Sequence, residues 1–440
     1  MIVKTDSTIP FISGAEELTA NLQRNSPSWL KQLRSSGLSR FQTLGIPTTK
    51  DEEWKYTNLR FLSDHRFQIL DSHKIYEREA FDDYCSEEEI NLVFVNGFFV
   101  EELSNKKGLP KGVVLANLQD AIRDNDKELS AFFKRNELND SDSFLSLNHA
   151  LFEQGVFIYV APKVVFKPLI HIIHVTSFGT DNAKAISFPR SVIILGKSAE
   201  ATVVESHLAF SQKIYFTDAA TDIVLAEDAK LLYCKAQGES RQAFHVGTTR
   251  IWQERYSQLH TFSLCAGGLI TRNNLHVSLN GEGAGAILNG LYAICDNQHV
   301  DNHTAVDHRV PNCTSNQLYK GILNQASRAV FNGKIFVRKD AQQTNSYQLN
   351  KNLLLGKECR VDTKPQLEIF ANDVKCTHGA TIGQLNPDEI FYLQSRGVSK
   401  DAAVKLLARG FVDDILNTIG NDSIVAKFKK LLTYTFSVLE

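Results

Sequence analysis

The sequence predicts a β-solenoid of stacked coils held between two helical regions, and three observations predict it. Between about residues 155 and 380 the chain is a succession of β-rich runs of mostly four to eight residues, among them VFIYVAP, LIHIIHV, SVIILG and TDIVLAE. Small polar corners precede these runs at Gly196, Ala226, Glu254 and Gly281, at intervals of 30, 28 and 27 residues, with later ones in NQASRAVFNG and GKECRVDT. Amphipathic helical spacing occurs only outside this stretch. A period of that length marks a chain in which each repeat buries its apolar face by stacking on the next. A β-sandwich also consists of short strands, but it rarely needs so many.

The flanks carry the helices. Residues 1–150 read as an α/β region. Ser26 is expected to cap a helix over PSWLKQLRSSG, with Pro27 at its first position and Gly37 as its stop. INLVFVNGFFVEEL reads as a hairpin turned at Asn96-Gly97, and LANLQDAIRDNDKELSAFFKRNE carries apolar residues at helical spacing. The solenoid is assigned to 151–385. Residues 386–440 form a helical domain: Asn386 caps PDEIFYLQSRG, which stops at Gly397; Ser399 caps KDAAVKLLARG, and FVDDILNTIG follows. Within it Leu407 and Phe411, four residues apart, share a face suited to a partner.

At 440 residues and 43% hydrophobic, the chain is long enough for two or three units. Its 48 basic and 50 acidic residues nearly cancel, so no large field calls for nucleic acid or an anionic membrane. The N-terminus lacks the apolar h-region of a secretory signal and does not read as a transit peptide. The most apolar run, GVFIYVAPKVVFKPLIHIIHV, is broken by Lys163, Lys167 and two histidines, which argues against a spanning helix. A cytoplasmic protein is expected. Of the seven cysteines no two lie within four residues, so there is neither a CxxC knuckle nor a ferredoxin-type run.

Three stretches could carry chemistry. GEGAGAILNG lacks the GK[ST] ending of a P-loop and sits between strands, so it reads as a tight corner, and any ATP hydrolysis must come from another subunit. CDNQHVDNHTAVDHRVPNCTSNQLYKGIL (295–323) concentrates histidine, aspartate and cysteine, but in no standard ligand spacing; corners whose polar side chains satisfy turn backbones are the favoured reading. DVKCTHGATIGQL places Cys376 and His378 on one face of a strand. Thiolate and imidazole are natural ligands for iron–sulfur chemistry, yet two ligands complete no site. The residues alone leave open a shared ligand pair or a buried thiol beside a satisfied imidazole.

Five stretches in order, DEEWKYTNLR (51–60), HTAVDHRVPNCTSNQLYKGIL (303–323), NSYQLNKNLLLG (345–356), DTKPQLEIFANDVKCTHGATIGQL (362–385) and SKDAAVKLLARGF (399–411), resemble the SufB/SufD family, the scaffold subunits of the SUF iron–sulfur cluster assembly system. KCTHGAT and HTAVDH lie on the SufD side of that family. The resemblance implies a mainly β protein, a right-handed parallel β-helix flanked by helical N- and C-terminal regions. It implies a non-catalytic subunit in an assembly of one SufB, two SufC ATPases and one SufD. The β-helix would pair with that of SufB, and the C-terminal helices would dock SufC. His378 would take part in nascent cluster assembly facing SufB, with Cys376 at the same interface in a less certain role. No cofactor is expected to bind tightly to the isolated chain; a transient iron–sulfur cluster and a flavin belong to the whole complex, and the isolated chain is a candidate homodimer. The alternative is a β-helix enzyme. Secreted polysaccharide lyases need an export signal, and acyltransferase helices need a strict hexapeptide period; neither is present.

Overall fold

The computed structural model describes residues 9, 11–70, 76–106, 108–124, 126–135, 142–178 and 184–436. Its centre is a parallel β-solenoid built from two sheets of twelve and ten strands. From Glu200 onward the chain lays strands alternately in the second and the first sheet, so each strand pairs in parallel with the next but one. In the second sheet the order runs through Glu200–Ala209, Lys230–Gly238, Gln258–Cys265, Gly285–Ile294, Thr314–Leu323, Thr344–Leu354 and Val374–Gly383. The strands, mostly of about ten residues, exceed the expected length because the ladder is made by backbone and runs through polar positions that interrupt an apolar pattern.

The corners explain the period. Ser198, Asp228, Tyr256, Gly283, Asn312 and Gln343 all have positive φ, between 54° and 71°, and recur 27 to 31 residues apart. A left-handed conformation costs a non-glycine residue about 1–2 kcal/mol. The stack offsets it: Ser198 N–H donates to Glu227 O (2.8 Å), Asp228 N–H to Arg255 O (2.9 Å) and Tyr256 N–H to Glu282 O (2.9 Å), each corner bonding the next. GEGAGAILNG supplies one of these corners, with Gly283 at φ 71°.

Apolar residues of both sheets meet inside the first coils, among them Val203, Tyr233, Leu259 and Leu288 opposite Ile223, Ile251 and Val277. Helices cover the outsides. Trp29, Phe41, Phe144 and Phe152 of the N-terminal region pack with Phe216 and Phe244 of the first sheet. Val412, Ile415, Phe428 and Leu432 of the C-terminal helices pack with Val204, Phe262 and Leu291 of the second. The N-terminal segment also joins the sheets directly, since Ile90–Val95 pairs in parallel with Val165–Thr176. No helix among the described residues is long and apolar enough to cross a membrane.

The Asn96-Gly97 hairpin forms between Ile90–Val95 and Phe98–Phe99. Asn386 and Ser399 cap their helices, accepting from Asp388 N–H and Ala402 N–H, and Gly397 follows the first at φ 89°. Other expectations are corrected. Ser26 does not cap the second helix; its hydroxyl turns back to donate to Leu22 O at 2.6 Å. Gly37 does not stop that helix, which runs from Ser28 to Leu44. A Cβ at Gly37 would stand 2.6 Å from Ser146 O, so the glycine permits close approach of the helix Ser143–Leu151. KDAAVKLLARG and the start of FVDDILNTIG form one helix, Lys400–Leu416, because Gly410 costs only about 1 kcal/mol in a helix that packing holds. LANLQDAIRDNDKELSAFFKRNE divides into a strand end and the helices Leu118–Asp124 and Asp126–Arg135; residues 125 and 136–137 of it lie outside the described residues.

Candidate functional site

Among the described residues nothing covers the last coil of the solenoid. Arg360–Ile369 closes one sheet and Val374–Gly383 the other, each paired on one side only among the described residues. Neither strand holds a fully buried residue, and Ile369, Phe370 and Ile382 are 39%, 60% and 47% exposed. Free strand edges beside exposed apolar side chains form a surface that natural proteins cover with another chain or element.

Cys376 and His378 lie on this last strand, two residues apart and on one face. Cys376 is half-buried and packs against Ile335, Val337 and Ala371. Its thiol is raised above the usual cysteine value by burial, partly opposed by the Ser346 backbone. His378 is exposed. Register aligns Cys376 with Ser346 and His378 with Gln348 on the preceding strand, and both columns continue inward as hydrogen-bond chains. Ser346 Oγ meets Ser315 Oγ at 2.7 Å, and Ser315 meets His308 Nε2 at 2.9 Å. Gln348 Nε2 donates to Gln317 Oε1 at 2.8 Å, and Gln317 Nε2 to Thr304 Oγ1 at 2.5 Å. Gln348 Oε1 is buried and unpartnered. These interior polar residues were not singled out from the sequence. Their signal was there: NSYQLNKN alternates Ser346, Gln348, Asn350 and Asn352 where an apolar core strand should alternate aliphatic residues. Among the described residues no group of three or more His, Cys, Asp or Glu is placed to hold a metal.

The stretch 295–323 holds corners at Asp296 and Asn312, but its histidines and aspartates at 299–308 are strand residues and not corner residues. His299, Asp301 and His303 stand within one strand, His299–His308, and grip the loop that carries DEEWKYTN. Thr57 Oγ1 donates to Asp301 Oδ2 (2.5 Å) and meets His299 Nε2 (2.8 Å). His303 places one ring nitrogen 3.2 Å from Glu53 and the other 3.0 Å from Asp301. Lys334 pairs with Glu53 and Lys364 with Glu52, while Arg272 lies over the Trp54 ring at 4.4 Å. Two of the stretches that carry the resemblance thus meet as a clasp between the N-terminal region and the final coils.

The clasp makes stability depend on acid. The His303 hydrogen bond, against partial burial and with Lys334, holds the Glu53 carboxyl down to about 2 from 4.5. A carboxyl whose folded value is depressed stabilises the fold above its unfolded value and loses that contribution as pH falls through the folded one. Glu53→Gln is therefore expected to lower the thermal midpoint at pH 7 and to flatten its decline between about pH 4.5 and 2, read by circular dichroism melts. Glu53 is 45% exposed, so solvent keeps the effect modest.

Leu407 and Phe411 are both half-buried on Lys400–Leu416. Phe411 faces the solenoid: the Lys320 ammonium lies 4.5 Å from its ring centre and donates to its carbonyl at 3.1 Å. The exposed apolar residues here are Leu406 at 54%, and Phe391 and Tyr392 at 71% and 57% on the helix Pro387–Ser395, which buries none of its residues.

Comparison with known proteins meets this architecture along its length. Residues 178–411 match the family model described as SUF system FeS cluster assembly, SufBD core domain, and residues 7–172 match the SufBD protein N-terminal region. The chain is 32% identical over 385 residues to the iron-sulfur cluster assembly protein SufD of Escherichia coli, covering 86% of this chain and 87% of that one. It is 31% identical over 400 residues to an iron-sulfur cluster assembly SufBD family protein of Synechocystis, covering 89% and 88%. It is 27% identical over 423 residues to the chloroplastic protein ABCI7 of Arabidopsis thaliana, covering 94% and 88%. A parallel β-solenoid with an open last coil, matched over both of its halves, makes this chain a member of the SufBD family of iron–sulfur cluster assembly proteins and a homologue of SufD.

Proposed function

We propose that this chain is the SufD-type scaffold subunit of a cytoplasmic SufB–SufC–SufD complex, itself non-catalytic. A nascent iron–sulfur cluster, the cargo of the assembly, forms where its last coil meets SufB. The observation that carries the reading is the uncapped solenoid end with Cys376 and His378 on its terminal strand. A thiol and an imidazole supply two donors where a cluster needs about four, and a chain stacked on the open edge supplies the remainder. His378 serves as ligand or proton acceptor through a neutral ring nitrogen. Cys376, raised by burial, becomes a thiolate when a metal replaces its proton.

The C-terminal helices dock the SufC ATPase. Phe391, Tyr392 and Leu406 form the exposed part of that face, with Leu407 at its margin and Phe411 seating the helix on the solenoid. Co-expression with SufB and SufC should yield one complex on affinity purification. Leu406→Asp should remove SufC from this chain while leaving SufB and the β-rich circular dichroism spectrum in place. Recovery of SufC at the wild-type ratio would refute the docking assignment; failure of the unmodified chain to capture SufB would refute the scaffold reading.

A further inference from the structure

A second feature lies away from the open end. On the outer face of the first sheet a cavity of about 490 Å³ opens between the clasp loop and the start of the helix Ser143–Leu151. That volume lies within the range of small-ligand sites. Its charged lining is four cations, Arg250, Arg272, Arg309 and Lys334, against two carboxylates, Glu53 and Asp142.

The ion pairs beneath do not restore the balance. Asp222 serves both Arg190 and Arg250. Asp307 likewise serves both Arg309 and Arg338. Asp301 pairs with Arg272 and Glu53 with Lys334. Among the described residues Arg190, Arg250, Arg272, Arg309, Arg338 and Lys334 thus face Asp142, Asp222, Asp301, Asp307 and Glu53, an excess of one positive charge around a recessed space. Asp142 is engaged at the helix start, where it accepts from Leu145 N–H at 2.9 Å.

Donors are also left over. Arg272 spends Nε on Asn274 (2.8 Å) and Nη1 on Asp301 (2.6 Å) and Glu53 O (2.8 Å); its Nη2 makes no hydrogen bond with a described residue. Asn332, only 4% exposed, lines the cavity with its side-chain oxygen unpartnered, an acceptor for a ligand O–H rather than a further donor. His276 stands in the cavity with no side-chain partner among the described residues. His276 is exposed, so its ring is accessible to an incoming ligand. A neutral ring has one N–H to donate and one nitrogen to accept.

We propose that this cavity binds a small anion carrying phosphate or carboxylate oxygens, held by Arg272, Lys334 and His276. The site is separate from the solenoid end and does not depend on the scaffold reading. Its test is calorimetric titration of the purified full chain with inorganic phosphate and with citrate, against sodium chloride at matched ionic strength. Saturable binding of at least one anion is expected, phosphate alone pointing to a phosphate ester and citrate alone to a carboxylic acid. His276→Ala should weaken it about tenfold, the scale of one hydrogen bond to a charged group. Ser278→Trp, which fills the cavity, should abolish it, and a melting curve of each unliganded variant shows whether it is folded. Binding no different from chloride for both anions, or unchanged affinity in both folded variants, would overturn the proposal.

Discussion

His378→Ala is expected to reduce iron–sulfur cluster supply by about tenfold or more, the scale on which metal-site side chains act, while leaving the complex assembled. The separation follows from position. His378 is exposed on a terminal strand whose backbone pairing with Thr344–Leu354 does not involve the imidazole. Exposed substitutions of that kind usually change stability by about 0.5 kcal/mol or less. The measurement is the activity of iron–sulfur enzymes in cells dependent on this system under iron limitation, beside the subunit ratio of the purified complex. Normal cluster supply would remove His378 from the chemistry. Loss of subunits ahead of loss of clusters would make its role structural. Cys376→Ser should act more mildly. Gln348→Leu removes the Gln348–Gln317 hydrogen bond in register with His378 and leaves Cys376 and His378 in place.

Asp222→Ala is expected to have the largest effect on folding, far from that site. Asp222 receives Arg250 through Nε at 2.7 Å and Nη2 at 2.8 Å, and Arg190 as well. Arg190 is wholly buried and Arg250 nearly so. Burial raises the Asp222 carboxyl, but the Arg190 and Arg250 guanidiniums outweigh it and hold it below the ordinary value. Without the carboxylate Arg190 and Arg250 lose the buried acceptor they share, a change that costs about 3–5 kcal/mol. A domain stable by about 5–15 kcal/mol cannot absorb that without visible consequence. The urea midpoint should fall steeply or the chain should be recovered insoluble. Asp307→Ala, on a more exposed face, should shift the midpoint by about 1 kcal/mol or less. Equal effects from the two would show that burial does not govern these pairs.

Both expectations depend on how much of the molecule was legible in the chain. The solenoid was legible because its period is local: a left-handed corner every 27 to 31 residues imposes a composition that recurs in sequence. The caps at Asn386 and Ser399 were legible for the same reason, since each side chain bonds a backbone N–H within three residues. Ser26 and Gly37 were misread because tertiary contacts compete with local signals there. Gly37 lies against Ser146, more than a hundred residues away in the chain, and no neighbour in sequence announces it.

Cys376 and His378 could be placed on one strand face from alternation alone. That the strand is the last of its sheet, with an open edge and polar columns behind it, depends on where the stacking stops. The same holds for His299, Asp301 and His303, whose spacing suggested corners until the 51–58 loop was seen to lie across them. Sequence by itself determined the coil period, the helix caps and the ligand-type residues, because these rest on interactions a few residues long. Only the tertiary structure decided which polar groups are buried, which pair, and which edge is left open. Those outcomes depend on contacts between segments more than two hundred residues apart, as between Thr57 and the buried Asp301, where burial makes each unpaired charge or donor costly.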